Sequence, residues 1–162
     1  MCIRDRRSKV VRHVKSPLQP YLPLSARFHS LNLDLVGPLP QAEGHSYLLT
    51  VIDRFSRWTE AIPLTEITAS ACAKAFLRHW VARYSVPRHL VSDQGRQFTS
   101  SLWRELMSLL GISHSMTTAY HPQSNGLIER FHRTLKERLM ARALSAGTGT
   151  WMDHLPLSLI HI

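Results

Sequence analysis

The chain reads as an α/β fold: a mixed sheet of five strands flanked by helices. Three observations predict it. Short apolar runs end in turn residues, as strands do, and longer segments repeat their apolar residues at helical spacing. The two kinds alternate in the order βββ-α-β-α-β-α, which calls for helices packed on a mixed sheet. The chain has 162 residues, 44% of them hydrophobic, enough for one domain with a real core.

Leu31-Asn32-Leu33-Asp34-Leu35-Val36 is an apolar strand broken by one acid and stopped by Gly37-Pro38. Residues 46–53 form a second strand after the turn-like Ala42-Glu43-Gly44, and residues 58–62 a third, ended by Pro63. Short connections make these an antiparallel meander. Ala69, Ala73, Phe76, Leu77, Trp80, Val81 and Tyr84 then recur at helical spacing, with Thr68 as N-cap and Pro87 beyond the end. Residues 89–92 form a short buried strand that delivers Asp93 at its C-terminal end. Ser100 or Ser101 caps a second helix with Leu102, Leu106, Leu109 and Leu110 on one face, and Gly111 stops it. Residues 112–116 give a fifth strand. A polar loop leads into a helix from about residue 125 to 143, and another helix starts at Trp151. Trp58, Trp80 and Trp103 are expected as core and packing residues.

Lys and Arg total 20 against 11 acids, a net charge of +9. Such an excess points to a polyanionic partner, nucleic acid first, because clustered cations release the counterions condensed on phosphates. Two cysteines, Cys2 and Cys72, are too few for a disulfide framework or a four-ligand zinc site. The histidines show no zinc-ligand spacing, so no zinc is expected, and no run is long enough to span a membrane. The default is an intracellular, reduced protein.

Residues 7–25 are basic and proline-punctuated, an expected linker before a core over 26–156. Residues 1–6 and 157–162 admit codons that, apart from the last base of each stretch, are reverse complements of each other. That inverted repeat is similar to the mosaic ends of transposase-built sequencing libraries, so both ends are expected to be translated adapter, and Cys2 and His161 carry no functional weight.

Three acids invite a chemical reading. Asp34 sits inside an apolar strand, where an acid is costly unless paired, metal-bound or turned to solvent. Asp93 follows a strand in Asp-Gln-Gly, which also suits an Asx turn. Glu129 falls at the start of a helix, where it could also pair with Arg133. Taken jointly, they come from three separate elements that can converge. Hard divalent cations such as Mg²⁺ take oxygen ligands and keep several waters, so three carboxylates with open positions suit phosphoryl transfer.

The runs Leu33-Asp34-Leu35-Val36-Gly37-Pro38-Leu39-Pro40, Asp53-Arg54-Phe55-Ser56-Arg57-Trp58, Ser92-Asp93-Gln94-Gly95-Arg96-Gln97-Phe98 and residues 120–132 (YHPQSNGLIERFH) resemble the catalytic core of retroviral-type integrases, most nearly those of gypsy-type LTR retrotransposons. Asp93 and Glu129 are separated by 35 residues, the interval by which this family is named. The resemblance implies an RNase H-like fold in which Asp34, Asp93 and Glu129 are catalytic and hold two Mg²⁺ or Mn²⁺ ions. It implies trimming of element 3′ ends and strand transfer into target DNA, in a homo-oligomer working in the nucleus. Tyr120 is read as stacking on or wedging against a base, and Gln123, Ser124 and Asn125 as bonding DNA near the cleaved end. Arg133 and Lys136, at i+4 and i+7 from Glu129, are read as phosphate contacts; a plain loop and a solvated basic face are the alternatives. Two other functions stay open: a related nuclease or transposase on the same fold, and a decayed or co-opted fragment that only binds DNA.

Overall fold

The computed structural model describes residues 26–117, 130–135, 137–139, 141 and 149–159. Five strands form one sheet: β1 (Ser30–Val36), β2 (Tyr47–Asp53), β3 (Thr59–Leu64), β4 (His89–Ser92) and β5 (Ser113–Met116). Their order is β3-β2-β1-β4-β5. β1–β2 and β2–β3 pair antiparallel, as short connections allow; β1–β4 and β4–β5 pair parallel, each joined through helices.

Strand alternation gives the sheet two apolar faces. One carries Leu31 and Leu33 of β1 with Leu49 and Val51 of β2. It is covered by α1 (Ala69–Phe76), its π-turn continuation (Leu77–Val81) and α2 (Ala82–Tyr84), with α3 (Arg96–Thr99) and α4 (Ser101–Leu109) beside them. Phe76, Trp80, Phe98 and Trp103 are fully buried there. Cys72 lies in this core, where burial pushes its thiol up to about 11. The other face, with Val36, Leu48 and Ile52, packs against Phe131, Leu135 and Leu139 of α5 (helical residues 130–135 and 137–139) and Trp151 and Leu155 of α6 (Trp151–Leu159). The result is three layers, helices on both sides of the sheet.

The caps follow the sequence. Thr68 accepts from the Ala71 N–H and Ser100 from the Trp103 N–H, each at 3.2 Å. Gly111 closes α4 with φ +66°. Elsewhere the structure departs from expectation. Pro63 does not end β3 but sits within it, opposite Leu48; β3 is an edge strand, so its missing N–H costs no ladder bond. α4 buries only part of the expected leucine face: Leu106 and Leu110 pack, partly buried, against the core. Leu102 and Leu109 are exposed, Leu109 by 85%, and the buried side chains are Trp103 and Met107. α3 is an extra turn of helix after Asp93. Trp80 and Trp103 are core as expected, but Trp58 is 44% exposed.

Candidate active site

Asp34 occupies the face of β1 that carries Asn32 and Val36, opposite Thr50 of β2. That face is not turned to solvent, because α5 covers it. Leu35 donates its N–H to Asp34 Oδ1 at 2.7 Å. His132 of α5 reaches the other oxygen, its Nδ1 lying 3.5 Å from Oδ2. The same ring meets Thr50 Oγ1 through Nε2 at 2.9 Å, and the Thr50 hydroxyl donates to the Asp34 carbonyl at 3.1 Å. A hydroxyl has one proton, so with that proton on Asp34 O, Thr50 accepts from Nε2–H. Burial pushes the Asp34 carboxyl up to about 6; the Leu35 N–H opposes the rise and the charge of Asp93 adds to it.

Asp93 follows β4 directly and is exposed. The parallel register Ser30↔His89, Leu31↔Leu90, Asn32↔Val91, carried on by two residues, brings Asp93 level with Asp34. Asp93 does form an Asx turn, accepting the Gly95 N–H at 3.1 Å. The turn fixes the carboxylate's direction and leaves its second oxygen for other partners. Behind it the buried Ser92 hydroxyl donates to Asp93 O and meets His114 Nε2, both at 2.9 Å. Burial lowers the His114 pKa, which favours the neutral ring as donor to Ser92.

Thr117 links β5 to this corner. Its N–H donates to Ser92 O at 2.8 Å and its carbonyl accepts from Gln94 Nε2 at 3.3 Å. Thr117 thus lies beside Asp93, and His132 of α5 contacts Asp34. Glu129, Lys136, Tyr120, Gln123, Ser124 and Asn125 all lie outside the described residues. Arg133 is exposed on α5, while Phe131, Leu135 and Leu139 are buried as the apolar stripe requires. Of the nine residues singled out in the sequence, the structure thus brings together Asp34 and Asp93 and places Arg133 on the neighbouring helix surface.

Two contributors were missed in the sequence, His132 and Thr50. Thr50 is the lone hydroxyl in the apolar run Leu48-Leu49-Thr50-Val51-Ile52 and is 1% exposed. His132 follows Glu129 by three residues in sequence, the spacing that would be one helical step. Asp53, the first residue of the second motif run, has a structural task. Fully buried, it accepts from the Phe28 N–H and from the Ser56 N–H and hydroxyl, closing the β2–β3 turn.

The donor set fits a hard divalent cation. Two carboxylates stand at neighbouring strand positions, and burial, with the Asp93 charge adding to it, raises the Asp34 pKa. Among the described residues no group of three or more His, Cys, Asp or Glu side chains is gathered for a metal. Among them, too, no helix is long and apolar enough to cross a membrane.

A family model described as integrase core domain matches residues 26–122, and a second of the same description matches residues 110–154. The Gag-Pol polyprotein of feline leukemia virus, a gammaretrovirus, is 41% identical over 130 residues, covering 80% of this chain and 8% of the polyprotein. The chain thus spans a small part of that curated relative. Among solved structures, the catalytic core domain of BIV integrase is 31% identical, with a TM-score of 0.65 and 82% of each chain covered. The HTLV-2 integrase catalytic core domain, solved in complex with magnesium in a trimeric form, has the same TM-score and coverage at 21% identity. The sheet is the RNase H-like one that these cores share. This chain belongs to the integrase core domain family.

Proposed function

We propose that this chain performs metal-dependent polynucleotidyl transfer on DNA: it trims element 3′ ends with water, then joins the freed 3′-hydroxyl to a target phosphodiester. One observation carries the reading. The level pair Asp34 and Asp93 lies between Thr117, whose N–H bonds Ser92 O, and His132, which contacts Asp34. Glu129, three residues before His132 in sequence, is the third acid of the set.

In this proposal Asp34, Asp93 and Glu129 hold two Mg²⁺ or Mn²⁺ ions. When bound, such ions neutralise phosphate charge and polarise the attacking and leaving oxygens of an in-line displacement. The protein's own part is positioning. Thr50 holds the Asp34 backbone and the Leu35 N–H its carboxylate, with His132 braced beside it by Thr50, while Ser92 and the Gly95 N–H fix Asp93. Arg133 and Lys136 contact phosphates, and Tyr120, Gln123, Ser124 and Asn125 hold the DNA end. We assign the chain to a gypsy-type LTR element on the wording of its four motifs. Its work is in the nucleus, where target DNA lies, as a homo-oligomer; the trimeric HTLV-2 core supports assembly of such domains.

The test is joining of a branched, disintegration-type DNA with Mn²⁺. The unaltered protein should join it and Asp93→Asn should not, with DNA binding kept by both. Joining that survives Asp93→Asn refutes the site; binding without joining in the unaltered protein supports a fragment that only binds DNA.

A further inference from the structure

We propose that the turn between β2 and β3 carries a second nucleic-acid surface, which takes single-stranded segments by stacking bases on Trp58 and Phe55. The surface lies at the far end of the sheet from the carboxylates. Asp53 pairs with Leu31, three residues before Asp34 on β1, and the turn runs on beyond it; at about 3.3 Å per residue the separation is at least about 10 Å.

Its construction alternates cations and rings. The Arg27 guanidinium lies 4.7 Å from the Phe28 ring centroid and 5.7 Å from that of Trp58. Trp58 meets Tyr84 edge-on at 6.2 Å, and the Arg83 guanidinium lies 5.0 Å from the Tyr84 ring. Phe55 is 53% exposed and Trp58 44%. Arg27, Arg57, Arg83 and Arg88 are all exposed around them, Arg88 joined to this end by its N–H bond to His29 O.

The acids of this region are already engaged. The Asp53 carboxylate is buried in its turn. The Glu60 side chain accepts from Trp58 Nε1 and the Tyr84 hydroxyl and pairs with Arg83 at 3.3 Å. These bonds hold the rings in place and leave an excess of positive charge. Rigid rings flanked by guanidinium groups match a polymer that offers a phosphate and a flat base at every step. Duplex DNA offers the phosphates but keeps its bases stacked inside, so a single strand is the better fit.

The surface neither uses the carboxylates nor needs a metal, so its test is separate from that of the proposed reaction. The full chain is titrated in EDTA with a single-stranded oligonucleotide of about 12 nucleotides while tryptophan fluorescence is followed. Of the four tryptophans, Trp80, Trp103 and Trp151 are buried, so quenching by stacking reports Trp58. We expect quenching in the unaltered protein and in Asp93→Asn, and its loss in Trp58→Phe with the thermal melt kept. Arg57→Glu should weaken binding roughly tenfold and flatten its salt dependence. Quenching that survives Trp58→Phe, equal quenching by heparin or by an acidic peptide, or no quenching at all overturns the proposal. Joining activity without quenching overturns this surface alone, and quenching without joining leaves it standing.

Discussion

Asp34 is held in two ways that pull against each other. Its backbone and one oxygen are fixed by Thr50 and the Leu35 N–H, yet burial and the nearby Asp93 charge raise its pKa from 3.8 to about 6. A carboxyl whose pKa is higher in the fold than in the unfolded chain stabilises the fold below its unfolded value. That contribution is lost as pH rises through the folded value. In EDTA, stability should therefore fall between about pH 4 and about pH 6. Asp34→Asn, which cannot ionise, should lack this fall and be more stable than the unaltered protein at about pH 8, by about 1–2 kcal/mol after discounting for partial exposure. Thermal melts of both proteins at about pH 4 and about pH 8 check this; a parallel pH dependence in the variant refutes it. The same substitution should abolish joining. Asp34 and Asp93 were legible in the sequence because acids beside apolar strands are rare. His132 and Thr50 were not, because a hydroxyl and an imidazole gain meaning only when the sheet and α5 are stacked.

At the scale of elements, local signals were the legible ones. Thr68 and Ser100 cap helices in the structure as they do on paper, since a cap depends on residues three apart. Ser100→Ala removes the acceptor for the Trp103 N–H and should cost about 1 kcal/mol. Chemical denaturation reads that as a shifted midpoint at constant slope; no shift would mean that another group, such as water, replaces the cap. The apolar face of α4 holds at Leu106 and Leu110 but not at Leu102 and Leu109, for a physical reason. Leu102, Leu106 and Leu109 recur at helical spacing, but so do Trp103 and Met107, and periodicity cannot say which stripe meets a partner. Phe76 and Phe98 settle it by packing on Trp103. Pro63 was misread likewise: whether a proline ends a strand depends on whether its N–H side faces a neighbour. Trp58 looked like a packing residue and is one, through Tyr84, yet among the described residues it keeps an open face, because none of their elements covers the turn.

Across the whole molecule, α6 closes the second core against the loop after β1. The Trp151 indole N–H donates to Pro40 O at 2.6 Å, and its ring is buried with Leu155 against Ala61 and Leu48. Trp151→Phe keeps most of the ring volume and should lose about 1 kcal/mol with the hydrogen bond. Trp151→Ala opens a cavity and should lose about 3 kcal/mol or more. Equal losses from the two variants would show that the hydrogen bond, not packing, holds α6. The order and handedness of pairing in the sheet could be narrowed from the sequence to a mixed type, since three close runs imply a meander. Placing β4 beside β1 required the long-range register, which no local pattern encodes.

That register has a consequence for how the site comes into being in time. β1, β2 and β3 are joined by short turns and pair with neighbours in sequence, so their contacts close small loops and form early. β4 joins β1 only after the chain has travelled through α1 and α2, a larger loop whose closure is slower. Asp34 belongs to the early half and Asp93 to the late one. The two acids therefore meet across the seam between the halves, and a chain stalled midway carries one carboxylate without the other. The two carboxylates come together only when β4 has docked on β1.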